Sequence, residues 1–432
     1  MNKIRLVAVL ALLASLAHAA DFFFHDGDRV VILGDSITQQ KLYSTYIEAY
    51  ALTRHPDWKL SFRNSGWGGD TAWLRQRAHP DEGKLFAAEG AALDAMVEKS
   101  VGDGLARDVL PLKPTAVTID FGMNDHAYQA FRPDIFRAYV RSQTELVKVL
   151  AKNGARVALC TPQPIEENPQ KADANEKTKN DSLRKFGDGL KDVAKASGAL
   201  YVDQFDPYMA IMTTARAANP PQHIGGGDAV HPGPAGHTLM AWAILKSLGA
   251  TPLVSSADIK CGFWSSAKNE QNCKVSNVKF SGGTLSFDRL DRALPLPIDP
   301  KAEPALKLAP VVDDLDVYGL KVAGLKGDKY ALTIDGAAAG NVTKAELEQG
   351  WNMACVKSPM LDQAQEVLQL VFKKNEKYFN RWRNVQLGKD PDPAKLAALD
   401  KEIADLEAKI DATRQPKVHH FELKPAPAAP AG

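Results

Sequence analysis

Residues 29–38, Arg-Val-Val-Ile-Leu-Gly-Asp-Ser-Ile-Thr, decide how this chain is read. Four apolar residues, Val30 to Leu33, run without interruption into Gly34-Asp35-Ser36, and a helical stretch follows. An unbroken apolar run belongs to a strand buried on both faces, as in a parallel sheet covered by helices. Ser36 then falls on a strand-to-helix turn, with its hydroxyl above the sheet edge and near backbone N–H groups that can stabilise an oxyanion. The same position also suits a helix cap, so other segments must decide between the two.

Outward from this stretch, short strand-like runs alternate with longer helical ones from Arg29 to about Leu248. Strands are expected at Val30 to Leu33, Leu60 to Asn64, Ala116 to Phe121, Arg156 to Cys160 and Leu200 to Val202. Helices are expected at Leu42 to Thr53, Pro133 to Lys152, Asp181 to Ser197 and Pro234 to Leu248, with an inserted one near Phe86 to Val101. Such alternation predicts a parallel α/β sheet with its chemistry at the carboxyl ends of the strands. The polar segment 163–180 reads as a mobile loop on the rim.

Beyond residue 250 the texture changes to short strand-like pieces, Val275 to Phe280, Thr284 to Phe287, Ala305 to Leu308, Leu315 to Val322 and Tyr330 to Ile334. The expected division is a signal peptide over 1–19, a catalytic domain over 20–249 and a β-rich module over 250–342. A helical extension over 343–415 and a disordered Pro/Ala-rich tail over 416–432 complete it. Gly350 to Ala354 reads as the opening of a helical stretch packed in a core. The charged, heptad-like stretch Asp392 to Thr413 suits a coiled coil or a solvated helix, which leaves the oligomeric state open.

Lys3 and Arg5 precede an apolar run from Leu6 to Ala17 that ends in small residues, the pattern of an export signal cleaved after Ala19. The run is shorter than the ~20 residues a spanning helix needs. The protein is therefore expected to be exported, to the periplasm or beyond, without an integral membrane segment. A formal net charge of +1 over 432 residues gives no electrostatic ground for a nucleic-acid partner. Of four cysteines, Cys261 and Cys273 flank a short polar segment and are the expected disulfide, while Cys160 and Cys355 read as buried thiols.

Three further segments carry chemistry. Asn64-Ser65-Gly66-Trp67-Gly68-Gly69-Asp70-Thr71 follows a strand, and its paired glycines let backbone N–H groups approach a ligand. Ile119 to Asp125 brings a buried strand to Asn124, whose amide can donate to an oxyanion or simply form a turn. Asp228-Ala229-Val230-His231 lies just before the last helix of the region. An imidazole at His231, with a reference pKa of ~6.5, can take the Ser36 proton and return it, and an acid three residues earlier can hold one tautomer.

Taken in order, these four segments resemble the signature blocks of the SGNH (GDSL-type) hydrolase superfamily, over roughly residues 28 to 248. The resemblance implies a flavodoxin-like three-layer α/β/α fold and a Ser36, His231, Asp228 triad. It also implies oxyanion donors at the Ser36 N–H, the Gly69 N–H and the Asn124 amide, with Gly68 one residue away as the other glycine. It implies neither metal nor organic cofactor, and no histidine pair here has metal-ligand spacing.

The resulting expectation is a serine esterase acting on a small-molecule or polysaccharide ester, in particular a carbohydrate O-acetylesterase. Lipase, lysophospholipase and arylesterase activities share the scaffold, and a carbohydrate-binding surface protein with a secondary hydrolase domain is the reading from another class. Trp67 and Trp73 read as packing, with stacking on a sugar as their other role. Tyr128 lines or covers the pocket, and Asp125 positions the Asn124 loop or lies on the surface. Asp35 caps a helix, and His126, His223 and His237 are structural or solvent-facing.

Overall fold

In β1 (Arg29–Gly34), alternate side chains serve two different cores. Val30 and Ile32 point into one apolar cluster, Val31 and Leu33 into another, which is the period-two consequence of a strand buried on both faces. The computed structural model describes residues 21–167 and 175–426, so the export signal expected over 1–19 lies outside the described residues. Strands β2 (Ser61–Gly66), β3 (Ala116–Asp120), β4 (Arg156–Cys160) and β5 (Leu200–Val202) pair with β1 in one parallel sheet of order β2-β1-β3-β4-β5. This is the flavodoxin-like order, and its direction reverses beside β1, where such folds open a crevice at the strand ends.

Helix α1 (Ser36–Gln39) leaves β1 directly, followed by α2 (Leu42–Arg54), then α3 (Arg75–Ala78), α4 (Glu82–Ala87) and α5 (Gly90–Asp108). Next come α6 (Pro133–Lys152), α7 (Glu176–Ser197), α8 (Phe205–Ala217) and α9 (Pro234–Ser247). Tyr43, Tyr46, Ile47 and Tyr50 of α2 join Leu239 to Leu245 of α9 on one face of the sheet. Val97 and Val101 of α5, Tyr139 and Leu146 of α6, and Phe186 and Leu190 of α7 cover the other. The parallel sheet expected from the alternation, and the three layers implied by the resemblance, are present. The segment expected to be a mobile rim is, where described, drawn inward: Gln163, Glu166, Glu167 and Glu176 are buried. Residues 168–174 lie outside the described set.

The C-terminal part is built differently from the expectation. Strands β6 (Leu253–Lys260) and β7 (Ser266–Gln271) form a hairpin, and β8 (Cys273–Ser281) and β9 (Thr284–Asp291) a second one. Helices α10 (Glu303–Leu306) and α11 (Val311–Leu315) follow, so the strand expected at Ala305 to Leu308 is a helical turn, with Ala305 packed under α9. Then come β10 (Val317–Ala323), β11 (Lys329–Ile334), β12 (Ala337–Thr343), α12 (Lys344–Gln349) and β13 (Trp351–Asn352). Last are α13 (Pro359–Phe379), a π-helical turn over Asn380–Gln386, α14 (Pro393–Thr413) and β14 (Val418–Pro425). Two sheets result, β13-β10-β6-β7 and β12-β11-β14-β9-β8, and their apolar faces share one core.

The tail expected to be disordered over 416–432 is thus corrected: Val418–Pro425 is a central strand paired on both edges, to β9 and β11. His419, Phe421 and Leu423 alternate inward, and Phe421 stacks on Phe287 at 5.0 Å. The expected boundaries of the β-rich module and the helical extension fall with it. The sandwich needs a strand from beyond residue 415, and α13 lies on α2 of the catalytic region. The Cys261–Cys273 disulfide is not formed, and all four cysteines are free. Gln271 pairs with Ser256, so Cys273 sits at the open end of the first hairpin and Cys261 at its turn. Five residues of strand at ~3.3 Å each separate those two places, beyond disulfide reach. Cys355, expected to be buried, lies exposed in the turn before α13.

At the α2–α13 contact Lys374 Nζ meets Glu48 Oε1 at 2.5 Å, with both side chains nearly inaccessible to water. Asn375 donates to Glu48 Oε2 and to Thr45 Oγ1, completing the carboxylate's shell. Burial raises the Glu48 pKa and lowers that of Lys374, pulling both toward neutrality. Removing one partner strands the other charge. Glu48→Ala is expected to lower unfolding stability by ~3–5 kcal/mol, and Glu48→Leu combined with Lys374→Met to cost less than the single change. Denaturant titration of the three proteins checks this, and equal losses for single and double variants would contradict it.

Candidate active site

Gly34 ends β1 because nothing larger fits: a Cβ there would lie 2.1 Å from Thr38 Oγ1 and 2.7 Å from the Asp120 carbonyl. That close approach lets α1 start at once, with Asp35 as its cap accepting from the Ile37 N–H at 2.9 Å. Ser36 is the first helical residue, half-buried at the strand end. Its Oγ is 2.8 Å from His231 Nε2. His231 Nδ1 is 3.1 Å from Asp228 Oδ2, and Asp228 Oδ1 accepts from the N–H groups of Val230 and His231 at 2.8 and 2.7 Å.

An ionised carboxylate only accepts, so Nδ1 carries the imidazole proton and Nε2 is left to accept from the Ser36 hydroxyl. For Asp228, partial burial disfavours the charge, but the two N–H groups and the imidazole outweigh it and hold the carboxyl below its usual range. The structure therefore brings Ser36, His231 and Asp228 into one hydrogen-bonded line.

The second and third blocks arrive beside it. Asn64, buried at the end of β2, donates to the Thr38 carbonyl at 2.7 Å and accepts from the Gly66 N–H at 3.0 Å, binding the loop to α1. Gly69 has a left-handed backbone, φ +77°, a conformation strained for any residue with a Cβ. The Gly68 N–H is taken by Gln39 Oε1 at 2.7 Å, whereas among the described residues neither the Gly69 nor the Ser36 N–H has a partner. The geometry separates the two glycines in favour of Gly69. Asn124 Nδ2 donates to the Asp70 carbonyl at 3.0 Å and more loosely to Asp35 Oδ2 at 3.3 Å. Tyr128 Oη donates to Asn124 Oδ1 at 3.1 Å, which fixes which end of the amide faces the site.

Beneath these groups lies a layer of buried acids. Asp125 accepts from the N–H groups of Ala72 and Gly122 at 2.8 and 2.9 Å, so it joins the second block to the third. Burial pushes its carboxyl up to about 8. Asp35 is raised well above the usual range by burial and by the charge of Asp120, which favours an uncharged neighbour for any oxyanion formed next to it. Trp73 is fully buried, with Nε1 on Glu82, and Trp67 is covered by arginines; neither indole offers an open face to a sugar. His237 is wholly buried on Tyr43, and burial lowers it to about 3.

Several positioning groups had no sequence signal. Glu166 accepts from the Ile224 and Gly225 N–H groups at 2.8 and 2.7 Å, and its own N–H donates to the Ala229 carbonyl at 3.0 Å. It holds the loop that carries Asp228 and His231. Arg77 is buried against Asp70 and Asp108 and donates to the Ser65 carbonyl at 2.7 Å. Only contact across the folded chain reveals such residues.

A family model described as the GDSL-like Lipase/Acylhydrolase family matches residues 32–239, which begin within β1 and end within α9. Residues 32–239 are a GDSL-like acylhydrolase domain. The chain is an ester-bond hydrolase. An acetylxylan esterase of Geobacillus stearothermophilus is 28% identical over 237 residues, 52% of this chain and 94% of that protein. A gut microbial diltiazem-metabolizing enzyme of known structure is 25% identical, with a TM-score of 0.77 over 93% of this chain and 98% of its own. The second likeness runs through the β-sandwich and the C-terminal helices, so the GDSL-like domain shares its appendage with a protein of the same overall architecture.

Asp120, at the end of β3, accepts from Gln204 Nε2 at 3.2 Å, and burial raises its carboxyl to about 7. The folded value lies above the ordinary ~3.9, so its contribution to stability is complete below that value and is lost as pH rises through about 7. Asp120→Asn is expected to flatten the fall of the melting temperature between roughly pH 4 and 8. Thermal melts of both proteins across that range test it; parallel curves would contradict it.

Proposed function

We propose that this chain is a carbohydrate O-acetylesterase that works by two-step acyl transfer. The observation that carries the proposal is the line Ser36 Oγ, His231, Asp228, set beside two N–H groups that have no partner among the described residues. In the first step Ser36 Oγ attacks the ester carbonyl carbon while His231 Nε2 takes its proton. The carbonyl oxygen becomes an oxyanion, stabilised by the N–H groups of Ser36 and Gly69 and by Asn124 Nδ2, which exchanges its long contact to Asp35 for a charged acceptor. Collapse expels the sugar oxygen, which receives the proton from His231. Water, deprotonated by His231, then attacks the acetyl-serine, and acetate leaves as Ser36 recovers its proton. Asp228 keeps the imidazole tautomer throughout, and its ionisation is secured by the N–H groups of its own turn.

The acetyl group and the carbohydrate are supported by the acetylxylan esterase, whose length is almost fully covered by the match. We also propose export through residues 1–19, which takes the enzyme to where acetylated polysaccharide is met. Ser36→Ala should abolish hydrolysis. Asn124→Ala should lower kcat by ~10²–10³ without unfolding, the usual consequence of losing one oxyanion donor. Steady-state rates on acetylated xylooligosaccharides, short aryl esters and lysolipids test both claims: preference for long acyl chains would contradict the acetylesterase reading, and a full rate in Asn124→Ala would remove that residue from the hole.

A further inference from the structure

The loop bearing Gly69 is gripped by the C-terminal extension through a single aromatic residue. Trp67 sits between the end of β2 and Gly68-Gly69, and its N–H donates to the Gly34 carbonyl at 3.0 Å. The Arg383 guanidinium, from the π-helical turn after α13, lies 3.6 Å from the Trp67 ring centre. Trp382 of the same turn meets Trp67 edge-on at 5.8 Å. Arg107 and Arg77, from the catalytic domain, complete the enclosure at 5.1 and 5.3 Å.

The same extension reaches the nucleophile's side. Glu376 pairs with Lys41 at 3.2 Å, and Lys41 follows closely on Gln39, the residue that occupies the Gly68 N–H. Residues 376–383 therefore contact both the Trp67 loop and the segment that follows α1.

This arrangement is costly if it only fills space. Arg383 Nη1 is buried without a hydrogen-bond partner among the described residues, and three guanidinium groups crowd one indole. The Arg383 pKa falls to about 10 through burial and the neighbouring arginine charges. An apolar side chain of similar length would pack there without such penalties. What a planar cation adds is a fixed, stacked contact on the ring face. A π-helical turn, a feature frequent at functional sites, delivers it.

We infer that Arg383 is a positioning residue for hydrolysis: stacked on Trp67, it holds the Gly68-Gly69 turn so that the Gly69 N–H points at the developing oxyanion. The inference rests on the acyl-transfer reading of the site given above. The oxyanion exists only in the transition state and intermediates, so disturbing this donor lowers kcat and leaves KM in place.

The test uses the full chain as wild type, Ser36→Ala, Arg383→Ala, Arg383→Met and Arg383→Lys, with 4-nitrophenyl acetate as substrate. It is run well below the melting temperature of each variant, so that loss of stability alone does not move kcat. Expected are a fall in kcat of roughly ten- to a hundredfold in Arg383→Ala and Arg383→Met, KM within about twofold, and partial recovery in Arg383→Lys. Wild-type kcat in Arg383→Met, a change confined to KM, or a lysine variant as slow as the methionine one would overturn the inference. A wild type that hydrolyses nothing would remove the acyl-transfer reading as well, whereas an active wild type with inert Ser36→Ala and unaffected Arg383 variants would remove this inference alone.

Discussion

The 2.8 Å contact between Ser36 Oγ and His231 Nε2 joins positions 195 residues apart in the chain, and the rest of the structure is arranged so that it can form. Ser36 is held by β1, between β2 and β3 in the parallel sheet, and His231 by a glycine-rich loop that leads into α9. The two are brought into register by the helices that follow each of them. Helix α2 packs on α9, with the Tyr43 N–H donating to His237 Nδ1 at 3.3 Å and the two rings stacked. His237 is kept neutral by burial, so this junction carries no charge of its own to disturb His231. Glu166 fixes the other end of the loop, and the Ser36 hydroxyl and the imidazole meet between these two anchors.

The C-terminal half is part of this frame. Its helix α13 is tied to α2 by the Glu48–Lys374 pair, and residues 296–315 share an apolar cluster with α2 and α9. Strand β14 then returns to close the sandwich from which α13 departs. Inside that sandwich Arg289 is fully buried, donating to Asp291, Ser255 and the Gly319 carbonyl, so the two sheets are joined by a satisfied polar network as well as by apolar contact. A chain cut near residue 342 would lose the strand that completes the sheet and the helix that supports α2.

The parts legible in the sequence were those whose signal is local. The inner strands β1, β3 and β4 stand out because burial on both faces demands apolar runs, and the four polar blocks stand out because each terminates a strand or opens a helix. Helix α8 is not legible, nor are β6, β7 and β12, the last two exposed along much of their length and poor in large apolar residues. Val418–Pro425 reads as tail because the Pro/Ala-rich run that begins at Pro425 masks the alternation of His419, Phe421 and Leu423 just before it. The heptad-like α14 was open to pairing with another chain, and it finds its partner within this one, in α13. Glu166 and Arg383 carry no signature in the sequence, since a carboxylate or guanidinium gains its meaning here only from a backbone or ring brought to it by the fold.

In the proposed reaction Ser36 is the group that becomes acylated. Mass spectrometry of the protein after treatment with a serine-directed phosphonate addresses it directly. A single adduct on the Ser36 peptide, absent in Ser36→Ala, is the predicted result. A folded wild type that takes no label, or takes it on another residue, would contradict the account.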